Sequence, residues 1–555
     1  MRMNEMSRRA VRWRNLVGVL GMLAAGRGWC TDPTTLSESD PLMDLFVKKG
    51  YVTQEEAEKV KAEADFLRTN GLVNAMPAPS RWKITEGIKS VQLFGDIRVR
   101  YEDRSVDDPS GNNIDLQRFR YALRFGLRGD AFDDFYYGLR LETAANPRSP
   151  WVTLGTSSSS SPYQGPFGKS TDTLGIGQVY IGWRPEDWVD ITVGKLPNLL
   201  YTTPMVWDSD LNPEGAIERF KYTVGEADLF ANLGQFLYAD FNPNSASQGL
   251  GVNAPFGQNT DNIFMFAWQG GVNYRIATNA SAKIAATLYN YIGLRRSSAN
   301  TLTALSPYFG DPYVGEGAYY YAGGSGFGFA PGYAGYSPGT TFNLLPGGGY
   351  GSLSYPFNQV GLNHLLVVEV PFEFNFKISK LNARLFGDIA YNLEGADRAR
   401  DAAAAYSAIL SANVFPSGNA IPHSFPAQTH DVKAYQIGFG IGSGDIVDGP
   451  MQGLVYGTGS HKHAWELRTY WQHIEQYALD PNLIDSDFFE GRENLEGIYL
   501  ALAYGFSDNF IGTFRYGHAS RINNLLGTGG SNQDIPQVNP INDYQLFQVD
   551  LTLRF

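Results

Sequence analysis

From residue 91 to the end of the chain, apolar and polar positions alternate in one segment after another. The cleanest is "LQRFRYALRFGLRGD", where Phe119, Tyr121, Leu123, Phe125 and Leu127 fall on one face and Arg118, Arg120, Arg124 and Arg128 on the other. Period two marks a β-strand with one dry side and one wet side. "VQLFGDIRVRYED" sets Leu93, Ile97, Val99 and Tyr101 against Gln92, Asp96, Arg98 and Arg100, and "DFYYGLRLETA" adds Arg140 and Glu142 to the polar side. In the segment at 360–376, Leu366, Val368, Val370, Phe372, Phe374 and Phe376 oppose Glu369, Glu373 and Asn375. About sixteen such strands fit between residues 91 and 555, the last being "YQLFQVDLTLRF".

Strand length decides what the dry face meets. Soluble strands run to about five or six residues, whereas many of these patterns persist for about ten, the length a tilted strand needs to cross a bilayer. Shifting the phase of 116–128 by one residue would turn four arginines to hydrocarbon. At about 2–4 kcal/mol each near the midplane, the error costs about 8–16 kcal/mol, so the polar face must look inward. Tight connections ("GDAFDD", "PED", "VGEA", "ATNA", "KISK", "SDN") alternate with long ones at 145–172, 241–261, 294–359, 394–430 and 521–541. That alternation predicts a transmembrane antiparallel β-barrel with short turns at the periplasmic end. The connection 445–462 is longer than its side predicts. Closing so large a sheet removes its edges and leaves a watery lumen.

The N-terminus is consistent with that destination. "MRMNEMSRRAVRWRN" followed by "LVGVLGMLAAG" reads as a signal peptide within 1–29. No later stretch approaches about 18 consecutive apolar residues, so no transmembrane helix is expected. Residues 38–70 read as a short periplasmic helical hairpin, with Thr53 and Glu56 as a capping box. Residues 71–90 form a linker to the barrel at 91–555.

Composition narrows the chemistry. Lys plus Arg is 44 against 56 Asp plus Glu, a net charge of −12, which argues against nucleic acid as a partner. Cys30 is the single cysteine, which excludes an intramolecular disulfide framework and a cysteine zinc site. "DSDLN" at 208–212 matches the opening of a calcium loop, but Pro213 stands at the required glycine and Arg219 at the bidentate glutamate. His461 and His463 make a weak metal signal, and no cofactor is expected. No Ser/His/Asp spacing points to catalysis, although His518 and Ser520 share a strand face. Inward cations cluster on the first three strands as Arg98, Arg100, Arg118, Arg120, Arg124, Arg128 and Arg140. Two readings stand together: a ladder that steers anions, or arginines paired to lumenal acids such as Asp96 and Glu142. Neutralising Arg118 and Arg120 together is expected to change selectivity more than stability.

"LMDLFVKKGYVTQEEAEKVKAEAD", "WDSDLNPEG", "YGFSDNF" and the terminal "LTLRF" resemble the putative porin family of Gram-negative bacteria and, more distantly, phosphate-selective porins. The terminal Phe555 on an alternating strand also resembles the signal by which outer-membrane proteins are recognised by their assembly machinery. The resemblance implies a passive channel for small hydrophilic solutes in outer-membrane lipid, often a homotrimer. It also implies a third loop folded into the barrel, where Asp208, Asp210, Glu214 and Arg219 would face the arginine wall as a constriction; a solvent-exposed acidic loop is the alternative. A solute-specific channel or sugar receptor using the Gly/Tyr-rich stretch 315–353, and an outer-membrane enzyme, are the competing functions.

Overall fold

The structure is a computed structural model. It describes residues 87–555 except 110, 112, 145–148, 156–172, 240–262, 293–363 (a two-residue ladder at 320–321 and 328–329 apart), 412–425, 445–448, 450–451, 459–460, 529–533 and 536–539. The expected signal peptide, the helical hairpin at 38–70, most of the linker and most of 315–353 lie outside the described residues.

Sixteen strands of seven residues or more make one antiparallel sheet. They are β1 Gln92–Asp107, β2 Asn113–Asp130, β3 Phe135–Ala144, β4 Thr173–Glu186, β5 Val189–Lys195, β6 Glu214–Val224, β7 Ala227–Ala239 and β8 Ile263–Ala277. The second half comprises β9 Ala280–Ile292, β10 Leu366–Ile378, β11 Leu381–Asn392, β12 Lys433–Gly442, β13 Trp465–Ile474, β14 Leu495–Gly505, β15 Phe510–Arg521 and β16 Asp543–Arg554. Each pairs with its sequence neighbour, and β1 pairs with β16 from Asp96↔Arg554 to Asp107↔Asp543. The sheet therefore closes on itself as a barrel. A two-residue strand, Val152–Thr153, adds to β2 beside Arg120 and Tyr121.

Phe555 fastens the seam at its lower edge. Its N–H donates to the Gly95 carbonyl and its own carbonyl accepts the Gly95 N–H, both at 3.0 Å. A Cβ on Gly95 would stand 2.6 Å from the Phe555 ring and 2.4 Å from the Arg124 carbonyl oxygen, so a glycine is required there.

The alternation read from sequence governs which way side chains point. Ile97, Val99, Phe119, Phe125, Ile181, Val193, Trp268, Ile284, Leu385, Ile437, Ile498 and Leu553 are exposed on the outer surface. Arg100, Glu102, Arg120, Arg124, Glu369, Glu373, Asp388 and Asp550 are buried inside. Along β10 the six apolar residues from Leu366 to Phe376 share the outer face, with Glu369, Glu373 and Asn375 on the inner one. Glu218 departs from the scheme: register with Ile191 and Leu233 turns it outward, where the Gln235 amide donates to it at 2.8 Å.

Tight turns join β2–β3, β4–β5, β6–β7, β8–β9, β10–β11 and β14–β15 at one end, alternating with connections at the other. The first connection at the long-loop end, 108–112, is itself short, unlike its successors. The connection between β11 and β12 begins with a helix, α1 Gly395–Ser411, whose Ala399 and Ala402 pack on Val432, Tyr477 and Leu526. The apolar core lies inside the barrel. It is built from Leu196, Leu200, Met205, Val206 and Trp207, from Leu479, Leu483, Ile484, Phe488 and Phe489, and from inward wall residues such as Tyr289, Phe386 and Tyr470. Strand side chains alone would leave a barrel of this size open; here connecting segments fold inward and fill part of it.

A candidate channel constriction

The third connection at the long-loop end, 196–213, turns into the barrel and is tied to the far wall. The backbones of Tyr201 and the side chain of Gln269 on β8 exchange two hydrogen bonds, at 2.9 and 2.8 Å. The Thr202 hydroxyl donates to Glu369 on β10 at 2.5 Å, and Thr203 to Asp388 on β11 at 2.5 Å. Tyr289 on β9 donates to the other Glu369 oxygen at 2.6 Å. Trp207 is fully buried against Phe236 and Tyr289, its indole N–H donating to the Leu211 carbonyl at 3.0 Å. Apolar anchors thus hold the loop while its hydroxyls donate to buried oxygens of the wall carboxylates Glu369 and Asp388.

The loop's outgoing limb meets the arginine wall. Asp210 forms an ion pair with Arg124, and Asn212 accepts from Gln178 on β4 at 2.8 Å. Glu214 and Arg219, expected in this loop, stand instead on β6. Glu214 is exposed and pairs across the strands with Lys195 at 2.6 Å, because the Lys195↔Glu214 register closes the loop just before it. Arg219 lies farther down β6 and pairs with Asp190 at 2.5 Å.

A second segment enters from the same end. Residues 475–494, between β13 and β14, are largely buried, and they carry "DSD" at 485–487 as an echo of "DSD" at 208–210. The two meet: the Asp208 N–H donates to the Leu483 carbonyl at 2.6 Å, and Ser486 donates its N–H and hydroxyl to Asp208 at 3.2 and 3.1 Å. The Asp485 N–H returns a bond to the Pro204 carbonyl at 3.1 Å. The repeated tripeptide was the signal that could have marked this second loop.

Four carboxylates gather where the loops touch. Burial, reinforced by Asp210, pushes Asp208 up to about 7. Burial and then Asp208, Asp487 and Asp210 raise Asp485 well above the ordinary carboxylate range. Burial acts the same way on Asp487, yet Arg100 overrides it and holds that carboxyl below its usual range.

The seven inward arginines sit as follows. Arg98 pairs with Asp96 at 2.5 Å; Arg100 with Asp487 at 2.6 Å and Asp550 at 2.7 Å. Arg118 pairs with Glu102 at 2.5 Å and Asp534 at 2.6 Å. Arg120 lies 3.9 Å from Glu102 and donates to the Trp151 carbonyl at 3.3 Å. Arg124 also lies 3.5 Å from Glu142, and Arg140 pairs with Glu142 at 3.1 Å. Arg128 donates to Gln92 at 3.1 Å over the Phe94 ring. The Trp151 indole lies 4.0 Å from the Arg100 guanidinium. Six of the seven therefore have a carboxylate within ion-pair reach. Side-chain exposure survives at Asp487 (35%), Arg98 (26%) and Asp210 (17%), which marks where water still reaches between loops and wall.

Elsewhere, His463 bonds Tyr504 at 2.7 Å at the short-turn end, and no metal-binding cluster is found among the described residues. His518 lies 3.7 Å from Asp543 on the outer face of β15, and no hydrogen bond joins it to Ser520.

Among solved structures, the outer-membrane expressed OmpT of Vibrio cholerae is similar at 7% identity and a TM-score of 0.33, over 86% of this chain and 100% of that one. A mutant of the Rh. blastica porin is similar at 8% identity and a TM-score of 0.34, over 84% and 100%. Likenesses of that size carry no argument about function. No curated protein matches the chain. A family model does: the one described as "Putative porin" matches residues 108–555, and the chain belongs to that family.

Proposed function

We propose that the chain is a passive diffusion channel of the Gram-negative outer membrane for small hydrophilic solutes, narrowed where loops 196–213 and 475–494 meet the arginine wall. The observation that carries the reading is the separation of faces on a closed sheet: apolar side chains outward, ion-paired arginines and acids inward, with water reaching Arg98, Asp210 and Asp487. Charges of both signs facing one narrow passage orient dipolar solutes and screen ions by sign. The proposal includes a mild anion preference from the arginines of β1–β3, export by residues 1–29, insertion through the terminal strand, and assembly as a homotrimer. The chain acts as a channel and performs no catalysis.

The test is single-channel recording of the purified protein in planar bilayers, with reversal potentials in a salt gradient. Ohmic, persistent channels with modest anion selectivity are expected. A protein that inserts and gives no conductance rejects the channel; clear cation selectivity rejects the anion preference alone. Saturable block by a sugar would favour a solute-specific channel instead.

A further inference from the structure

The connection between β12 and β13 lies at the short-turn end, yet it does not turn tightly. Gly449 and Gln452–Thr458 fold up into the barrel mouth around a short 3-10 turn, Leu454–Tyr456, whose Leu454 and Val455 are buried. The wall below is made to receive them. One inward register row runs Arg384, Gly440, Arg468, Ala501, Arg515 across β11 to β15. Arginines on alternate strands are separated by the two smallest side chains, and a Cβ on Gly440 would find nothing nearer than 3.8 Å.

Every arginine in that row grips a backbone carbonyl of the turn. Arg384 donates to the Gly449 carbonyl at 2.7 Å and to that of Gln452 at 2.9 Å. Arg468 donates to the Gln452 carbonyl at 2.7 Å, and Arg515 to that of Val455 at 3.2 Å. Arg554, lower on β16, takes the Gly457 carbonyl. The acids beside these arginines accept from the same segment: Glu373 from the Gly449 N–H at 2.8 Å and Glu466 from the Val455 N–H at 3.0 Å. Charge-assisted bonds are roughly twice as strong as neutral ones, so a turn held this way is docked rather than draped. The glycines fit the same purpose. Gly453 has φ 128°, and a Cβ there would stand 2.6 Å from a Glu466 oxygen and 2.9 Å from an Arg468 nitrogen.

We propose that Gly449 and Gln452–Thr458 form a plug seated on the Arg384–Arg468–Arg515 row, a second constriction in series with the loop constriction. The proposal rests on the channel reading for its transport consequence and on its own geometry for the seat. Solutes pass two filters in series, linked through Asp550, which pairs with Arg100 beside the loop junction and with Arg515 of the seat, and the second filter is lined by backbone rather than by free charge.

Two measurements test it and separate its failure from that of the channel reading. In planar bilayers, replacing 445–462 by a tight turn like that at 506–509 raises single-channel conductance roughly two-fold or more, since the narrower series element limits flow. The variant Arg384→Gln/Arg468→Gln, which keeps every residue of the turn, moves conductance the same way if the shortened chain fails to fold. Conductance equal to the parent's in folded variants overturns the plug. Independently of conduction, Val455→Cys in a Cys30→Ser background is labelled by an aqueous maleimide in detergent. The parent seat protects the thiol, and Arg384→Gln/Arg468→Gln speeds labelling roughly ten-fold or more by opening it. Equal labelling rates overturn the seat. A parent that does not conduct but shows the labelling contrast sinks the channel reading and leaves the seat standing.

Discussion

Glu102 shows what the arginines are for at the scale of one residue. It is fully buried on β1 and accepts from Arg104, Arg118 and Gln548, with Arg100 and Arg120 each 3.9 Å away. The arginine pattern was plain in the sequence, because period-two alternation needs only neighbours in the chain. Two partners, Asp96 and Glu142, were legible with it; the others, Asp534, Asp550 and Asp487, come from segments hundreds of residues away, and no local spacing announces them. The consequence changes an expectation. Neutralising Arg118 and Arg120 together, which from sequence alone touches selectivity more than stability, strips Glu102 of its nearest cation in a buried site. Breaking a buried pair costs about 3–5 kcal/mol. The double variant Arg118→Gln/Arg120→Gln therefore loses its resistance to denaturation by detergent and heat markedly, measured by the loss of β-sheet circular dichroism. A selectivity change at unaltered stability would contradict this account.

At the scale of elements, the strands were legible and the inward segments were not. Strand periodicity survives because a closed sheet with an apolar outer face and a polar inner face imposes it along the strands. A loop that folds into a lumen follows no period; its apolar residues (Leu196, Leu200, Met205, Trp207) fit a compact irregular packing instead. Loop 196–213 was reachable only through family resemblance, and loop 475–494 through the repeated "DSD", which became meaningful once the two were seen in contact. The unexplained length of 445–462 has a physical reason as well, since arginines on the wall take up its carbonyls. Trp207 tests how the third loop is held. Trp207→Ala removes a fully buried side chain, a cost of about 3–5 kcal/mol that falls on the docked loop rather than on the barrel ladder. The expected result is an intact barrel with larger and noisier channel currents. Currents indistinguishable from the parent would show that the Thr202–Glu369 and Thr203–Asp388 bonds hold the loop without the indole.

Across the whole molecule, the lumen is a nearly balanced field with an adjustable carboxylate cluster where the two loops meet. Most inward arginines face carboxylates, so their charges largely cancel and any ion preference is mild. Asp208 breaks the balance because its folded-state value is raised to about 7, from 3.8, by burial and by Asp210. Below that value the loop junction carries less negative charge and the arginines dominate; above it another carboxylate ionises among Asp210 and Asp487. Anion preference should therefore be stronger near about pH 5.5 than near about pH 8.5, the crossover following the raised group rather than an ordinary carboxylate. Stability moves in the same sense. Between the unfolded and folded values the folded chain binds more protons than the unfolded one, so this group's contribution falls as pH rises through that window and is constant above it. Reversal potentials at the two pH values, repeated on Asp208→Asn, separate this group from the rest. The variant keeps its preference nearly constant while the parent's shifts toward cations with rising pH. The same shift persisting in the variant would assign the titration to another carboxylate, with Asp485, raised by the same cluster, next in line.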